Sequence, residues 1–373
     1  MGSATIYELT NRGLSVLGIE QDNIPNDIGS SHGITRIIRL AYYEHTSYVP
    51  LLRKSYTLWR DLEKRIGKRI LVTTGSIDAS RENDEVFRGS KSSCDIHNLD
   101  YEVLDSGEIS NRFPGYQLPN DVIGLYQPDG GILIPEECIV GYVNVALELG
   151  AEIHGREQVI SWSPMGGGVR IKTDKGEYSS EKLVITAGAW TSKLFSELKE
   201  LAIPERQVLA WFQPGRPELF TPSTFPVMNI LVEEGRYYGF PAYGIPGFKV
   251  GRYHHRGENV DPDTMDRNPN SEDEALLRSF TNRYFPDASG PTIALKTCMF
   301  TNSPDEHFII DFHPEWPQIC IAAGFSGHGF KFASVVGEIM AELVCDGNSH
   351  HNLDLFKLDR FNAQKTGGAC ESD

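Results

Sequence analysis

Three stretches of this 373-residue chain concentrate groups that can do chemistry. The first, GSSHGITRIIRLAY over residues 29–42, sets His32, Thr35, Arg36 and Arg39 among the glycines Gly29 and Gly33. Glycine permits tight turns, and two arginines three apart, read as one helical turn, share a face and aim at one anion. The second, GFSGHGFKFASVVGEIMAEL over 324–343, places Gly324, Gly327, His328, Gly329 and Lys331 at the entrance of a strongly periodic helix. A helix N-terminus offers unpaired N–H groups and partial positive charge, and Lys331 adds a full charge, so this is an anion site built on backbone. The third, KTCMFTNSPDEHFIID over 296–311, carries Cys298 and the run Asp305-Glu306-His307. Adjacent residues rarely converge on one ion, so no metal is expected there or elsewhere. The plain alternatives are a pair of solvated arginines, a tight strand-to-helix turn and a buried thiol. The density of Gly, His and Arg beside the apolar IIRLAY favours a site in the first stretch.

These groups need a frame. MGSATIYELTNRGLSVLGIEQ opens the chain with Ala4, Ile6 and Leu9 on a short helical face, a stop at Gly13, and an apolar strand from Leu14 to Ile19 ending at Glu20. In a dinucleotide-binding βαβ unit a strand and Gly-rich turn precede the helix, and an acid ends the second strand. Here the helix and the acid are present and the first strand is not. The spacing of Leu52, Tyr56, Trp59, Leu62 and Ile66 predicts a helix from Ser47 to Ile66, followed by a strand from Ile70 to Ile77. Residues 81–110 read as polar and irregular. Pro135 opens a helix that Gly150 ends. Val169–Thr173 and Glu177–Tyr178 flank Asp174-Lys175-Gly176 as a hairpin, and KLVITAGAW reads as a buried parallel strand. Residues 205–300, rich in Pro, Tyr and Phe, suit a separate sheet. Phe332, Val335, Val336, Ile339, Met340 and Leu343 mark a last helix. The expected architecture is α/β: a discontinuous nucleotide-type domain over 1–75, 135–203 and 300–373, interrupted by a second domain over 76–134 and 204–299.

Bulk properties exclude several functions. A net charge of −16 without a Lys/Arg stripe argues against nucleic acid as a partner. No apolar run is long enough to span a bilayer, and the start lacks the pattern of a secretory signal, which points to the cytoplasm. Six cysteines, at 94, 138, 298, 320, 345 and 370, show no CxxC spacing and read as free thiols.

The combination of SHGITRIIR, YYGFPAYG with FKVG, TCMFTNSPDEHFIID and AAGFSGHGFKF resembles the monomeric sarcosine oxidase family, which includes N-methyltryptophan oxidase, over essentially the whole chain. The resemblance implies FAD in a Rossmann-like domain and an α+β substrate domain whose mixed or antiparallel sheet covers the flavin ring. It implies that Cys298, in the CM[YF]T position, is joined covalently to the flavin, and that Arg39 and Lys331 clamp a substrate carboxylate. Lys249 would stand where oxygen reacts, Arg36, Thr35 and His32 near the ring, and Tyr238 and His254 toward the substrate. One extra residue follows Lys249, which leaves His254 and His255 as alternatives. Gly2 would end the G-x-G-x-x-G turn, Glu20 would meet the ribose, and Gly327, His328 and Gly329 would line the flavin. A monomer is implied.

Chemistry gives these roles a rationale. Amine oxidation leaves negative charge on the flavin, which a helix N-terminus behind Gly327–Gly329 stabilises. An amino-acid substrate needs its carboxylate fixed, by Arg as a two-point grip and Lys as a point charge. A buried Lys249 would ease the electron transfer to O₂. The expected reaction is oxidation of the secondary amine of a small N-methyl amino acid, with H₂O₂ and formaldehyde released. A same-fold dehydrogenase that passes electrons to a protein partner, and a cofactor-free relic acting as an interaction module, are the rival readings. The missing strand suggests an upstream start, and the expectation that restored protein is yellow while the chain as written is colourless and unstable. Asn229, on an expected pocket wall, leaves room for a side chain bulkier than that of sarcosine.

Overall fold

The computed structural model describes residues 1–361; residues 362–373, with Cys370, lie outside the described residues. The chain divides into two compact units, one made of Met1–Ser30, Ile139–Glu205 and the chain from Met299 on, the other of Ser31–Cys138 and Arg206–Cys298.

The first unit is α/β. A helix runs over Gly2–Asn11, and Gly13, at φ +85°, turns the chain out of it. The strand Leu17–Ile19 then pairs in parallel with Glu152–His154. Leu183–Ile185 pairs in parallel with Ile319–Ala323, whose other edge takes Ile309–Phe312 antiparallel. The hairpin read from Asp174-Lys175-Gly176 joins Gly168–Thr173 to Glu177–Ser180, and Val159–Met165 adds a third strand. The last helix, Ala333–Asp346, differs from its one-sided pattern, because residues 333–344 are buried on every face. Gly337 is one reason: a Cβ there would lie 2.7 Å from the backbone of Ala4, so only glycine lets the helix Gly2–Asn11 come this close.

The second unit is built on an eight-stranded mixed sheet. Its order is Thr292–Asn302, Ile203–Phe212, Phe248–Arg252, Gly235–Phe240, Val227–Val232, Ser76–Ser80, Ile123–Gln127, Glu102–Asp105. Val227–Val232 runs parallel to Ser76–Ser80 and antiparallel to Gly235–Phe240. A smaller sheet pairs Gly131–Leu133 with Arg36–Ile38 and Leu71–Thr73. Those two pairings draw residues 31–75 into this unit, whereas the sequence grouped them with the nucleotide-type segments.

Three local expectations change. The strand read over Ile70 to Ile77 breaks at Gly75, φ +75°, and its halves Leu71–Thr73 and Ser76–Ser80 enter different sheets. The region 81–110 is ordered, with helices at Glu85–His97 and Ser106–Arg112 around the strand Glu102–Asp105. Its polar surface hid two devices: Phe87 and Cys94 dock on Leu125 and Ala41, and Asp105 with Glu108 forms a capping box. Finally, Arg36–Ile38 is a strand, and the following helix starts only at Tyr48.

Strand alternation sorts the large sheet into two chemically different faces. One face carries Ile77, Ala79, Val208, Ala210, Met228, Ile230, Phe248 and Val250 into a core with Leu277, Phe280 and Tyr284 from the helix Ser271–Tyr284. The residues between them point the other way. There the register aligns Asp78, Asn229, Tyr238, Gly251 and Leu209 in one row across five strands, with Phe240, Lys249 and Trp211 aligned in the next.

Candidate active site

Lys249 is the centre of that second face. Its side chain is 1% exposed, and its cross-strand partners Trp211 and Phe240 put ring centroids 5.3 and 4.4 Å from Nζ. Cation–π attraction alone does not repay the removal of an ammonium from water. The loop 33–35 supplies the rest. Nζ donates to Gly33 O at 2.7 Å, Thr35 O at 2.8 Å and Thr35 Oγ1 at 3.0 Å, one acceptor for each ammonium proton. Gly33 reaches this position at φ +97°, and Ile34 follows at φ +71°. Glu136 holds the turn from behind, its Oε1 accepting from the N–H groups of Gly33 and Ile34 at 2.7 and 3.1 Å. Burial, and then the charge of Arg36, push the Lys249 pKa well below the usual lysine value.

Cys298 shares this surface, packed with Leu209, Trp211 and Tyr238. Burial raises its thiol pKa, against the pull of Arg36 and Lys249 toward thiolate. Tyr238 lies flat across Gly251, where a Cβ would stand 2.4 Å from the ring, so the glycine opposite it is a steric requirement. Burial drives the Tyr238 hydroxyl pKa far up, leaving it a neutral donor. Of the residues singled out from sequence, Thr35, Arg36, Tyr238, Lys249 and Cys298 therefore meet in the second unit. His32 is buried in the same loop.

Arg39 is arranged differently from its sequence expectation. Residues 36–38 form a strand and Arg39 lies just past it, so the helical turn that would put Arg36 and Arg39 on one face is absent. Arg36 NH1 donates to Thr35 O at 2.9 Å. Arg39, 3% exposed, donates through NH1 to Ala41 O, grips both carboxylate oxygens of Glu44 with NH2 at 3.0 and 3.1 Å, and sets Nε 3.5 Å from Asp78. Tyr42 and Tyr43 cover its guanidinium, with centroids at 4.6 and 4.8 Å. Burial opposes its charge, and Asp78 and Glu44 more than restore it. Asp78 Oδ1 also accepts from Asn229 Nδ2 at 3.1 Å, so Asn229 belongs to this buried polar group. Of the two histidines, His255 is fully buried with Nε2 3.0 Å from Asp273, which Arg206 grips through both oxygens. His254 follows the strand at φ +51°, with its ring centroid 6.4 Å from that of Tyr253.

In the first unit, Gly2 occupies the opening turn of its helix, which no side chain caps. A Cβ on Gly2 would lie 2.9 Å from Thr186 Oγ1. Glu20 follows the strand Leu17–Ile19; its carboxylate accepts from Asp22 N at 3.0 Å, and burial raises its pKa. Gly324, Gly327 and Gly329 form the turn between Ile319–Ala323 and the last helix, which a short 3₁₀ turn, Phe330–Phe332, introduces. Gly327, at φ +77°, lies against the Phe300 ring, where a Cβ would come within 2.5 Å. The turn is pinned by Ser326 N donating to Thr301 O at 2.9 Å and by His328 Nε2 2.9 Å from Glu306 O. Lys331, almost wholly buried, donates from Nζ to His328 O at 2.9 Å.

This unit fits a phosphate-bearing cofactor on its own geometry. Two helix entrances, at Gly2 and at Gly329–Ala333, lack side-chain caps, and a Cβ would press on Thr186 Oγ1 at the first and on Phe325 at the second.

Glu44, Asp78 and Glu136 were missed in the sequence. Asp78 alone carried a signal, since a carboxylate inside the strand SIDAS must be paired if the strand is buried. Glu136 reads as an ordinary first-turn acid, and Glu44 as a loop residue.

The fold and these sites define a flavoenzyme scaffold, and the chain belongs to the FAD dependent oxidoreductase family, whose pattern matches residues 1–343. A monomeric sarcosine oxidase of Bacillus sp. (strain NS-129) is 39% identical over 96% of this chain and 94% of its own. An N-methyl-L-tryptophan oxidase of Yersinia pestis is 33% identical over 97% of this chain and 96% of its own. Among solved structures, L-proline dehydrogenase from P. horikoshii superposes with a TM-score of 0.84, covering 97% and 95% of the two chains at 22% identity.

Proposed function

We propose that this enzyme oxidises the secondary amine of a small N-methyl amino acid, of which sarcosine is the simplest, with O₂ as electron acceptor and H₂O₂ and formaldehyde as products. When bound, FAD accepts the two electrons of the carbon–nitrogen bond. The first unit holds it through the backbone at Gly2 and the Gly327–Gly329 turn, with Glu20 for the ribose, and Lys331 is assigned to the substrate carboxylate. Cys298 is its covalent attachment. Arg39 fixes the substrate carboxylate, and Tyr238, Arg36 and His254 shape the surroundings of the amine. Relatives that act on sarcosine and on N-methyl-L-tryptophan support the substrate class.

One observation carries the oxidase reading: Lys249, buried, meets three acceptors from the 33–35 loop. A cation kept at such cost in a dry site is suited to stabilising the negative charge that forms as O₂ is reduced. No helix among the described residues is long and apolar enough to cross a membrane; the enzyme acts as a cytoplasmic monomer on this reading. A peroxide-release screen over N-methyl amino acids and cyclic secondary amines tests it. Peroxide and formaldehyde in equal amounts from sarcosine or a bulkier homologue are expected. Rapid flavin bleaching with no peroxide would assign the chain to the dehydrogenases instead.

A further inference from the structure

At the far end of the last helix, away from the glycine turn that introduces it, a second constellation has no part in the oxidation. Glu338 and Glu342 stand four apart on Ala333–Asp346 and so share one helical face. Both residues are buried, with the side chains of Glu338 and Glu342 11% and 9% exposed. Gly347, at φ +74°, reverses the chain and brings His350 and His351 over them. His350 Nδ1 lies 2.5 Å from Glu342 Oε1, and His351 Nε2 lies 3.0 Å from Glu338 Oε1. One donor atom from each of the four residues lies within 4.8 Å of the other three.

We infer that Glu338, Glu342, His350 and His351 form a divalent-cation site of the zinc type. The donor set is two imidazole nitrogens and two carboxylate oxygens, with no thiolate, which suits Zn²⁺ and disfavours the all-oxygen cations Ca²⁺ and Mg²⁺. In a tetrahedral site with bonds of about 2.0–2.2 Å the donors stand about 3.3–3.6 Å apart, between the shortest and the widest spacings present, 2.5 and 4.8 Å, so capture needs only small side-chain adjustments. Adjacent residues rarely converge on one ion, and His350 and His351 are an exception. Here His350 offers Nδ1 and His351 Nε2 from rings 4.0 Å apart, and the two donors converge. The electrostatics are favourable. Of the two buried carboxylates, Glu342 sits in the C-terminal half of the helix, where the backbone dipole also attracts a cation, and Glu338 sits near its middle. Arg12, 4.0 Å from Glu342 and 3.9 Å from Asp346, is an opposing charge that Asp346 partly holds. Ser349 Oγ donates to the second Glu342 oxygen, Oε2, which leaves Oε1 directed at the site. An ion there would tie the segment after Gly347 to the helix that begins at the glycine turn, so its role is to brace that helix.

The test uses the untagged holoenzyme, stripped with chelator, dialysed and titrated with ZnCl₂ by calorimetry, with bound metal counted by native mass spectrometry. One Zn²⁺ per chain and a rise in Tm of about 2–5 °C at saturation are expected. His350→Ala, which removes an exposed side chain and does not threaten the fold, should weaken binding at least tenfold; His351→Ala should do the same. Tetrahedral Co²⁺ absorption beyond the flavin band should appear in the parent protein and be lost in H350A. Substoichiometric binding in the parent, or binding unchanged in H350A, would overturn the assignment. Turnover of amine substrates should be the same with and without metal, so the result is independent of the oxidase reading.

Discussion

Arg39 cannot receive a substrate carboxylate through NH2 without displacing Glu44, and this gives a quantitative expectation. Glu44 at 3.0 Å and Asp78 at 3.5 Å already offset the guanidinium charge, so an incoming anion must compete with carboxylates that are in place. Displacing Glu44 forfeits a bond between two opposite charges, worth about 1.5–3 kcal/mol, whereas a glutamine in its place leaves only the guanidinium charged and weakens that bond by about 1–1.5 kcal/mol. The difference, about 1–1.5 kcal/mol, is about five- to twelvefold in affinity. Glu44→Gln should therefore bind acetate and sarcosine about five- to twelvefold more tightly, because the amide competes less well for Arg39. The assay is the perturbation of the flavin absorption band on anaerobic titration with each ligand. An unchanged or higher Kd in a variant of normal flavin content and Tm would refute the exchange. It would make Glu44 a residue that positions Arg39 for the substrate instead of one that competes with it.

Lys249→Met should slow reoxidation of the reduced enzyme by O₂ by about a hundredfold or more, with anaerobic reduction by substrate little changed. Lys249 is charged below its pKa and neutral above it, and that pKa lies well below the ordinary lysine value. The parent rate with O₂ should accordingly fall as pH rises through the Lys249 pKa, and stopped-flow reoxidation of K249M should lose that step. Cys298→Ala should release all its flavin on denaturation, whereas the parent should keep a fluorescent band on a denaturing gel. Asp273 has its pKa pushed up by burial but brought down further by Arg206, Asn270 and His255, to a value far under the usual carboxylate range. Its contribution is complete above about pH 4, the ordinary aspartate pKa, and is lost as pH falls below that. Asp273→Asn should cost about 3–5 kcal/mol at neutral pH, and urea unfolding should show the gap to the parent shrinking on acidification.

Much of the frame could be read from periodicity and turns. The helix from Tyr48 to Ile66, the hairpin around Asp174-Lys175-Gly176 and the parallel strand Leu183–Ile185 follow from local patterns that tertiary packing does not contest. Residues 29–42 show where such reading stops. Arg36 and Arg39 fit a helical spacing, yet Arg36–Ile38 pairs with Gly131–Leu133, a partner nearly a hundred residues away that no local pattern announces. The grouping of Lys249 with Thr35 and Cys298 likewise rests on register across the sheet and on a loop held by Glu136. The resemblance named those residues; the geometry supplies a physical reason for their burial. Glu44 and Asp78 had no such help, because a buried acid differs from a solvated one only in what surrounds it.

The division of labour between the faces of the eight-stranded sheet has an engineering consequence. Along Val227–Val232, Met228 and Ile230 answer to the apolar interior while Asn229 answers to the polar row, so neighbours in the chain are under unrelated demands. Substituting Asn229 would disturb the polar group around Asp78 and Arg39 while the residues on either side keep the domain folded. Deleting a single residue from such a strand would do the reverse: it would turn charged groups into the interior and oily ones toward the chemistry, ending both at once.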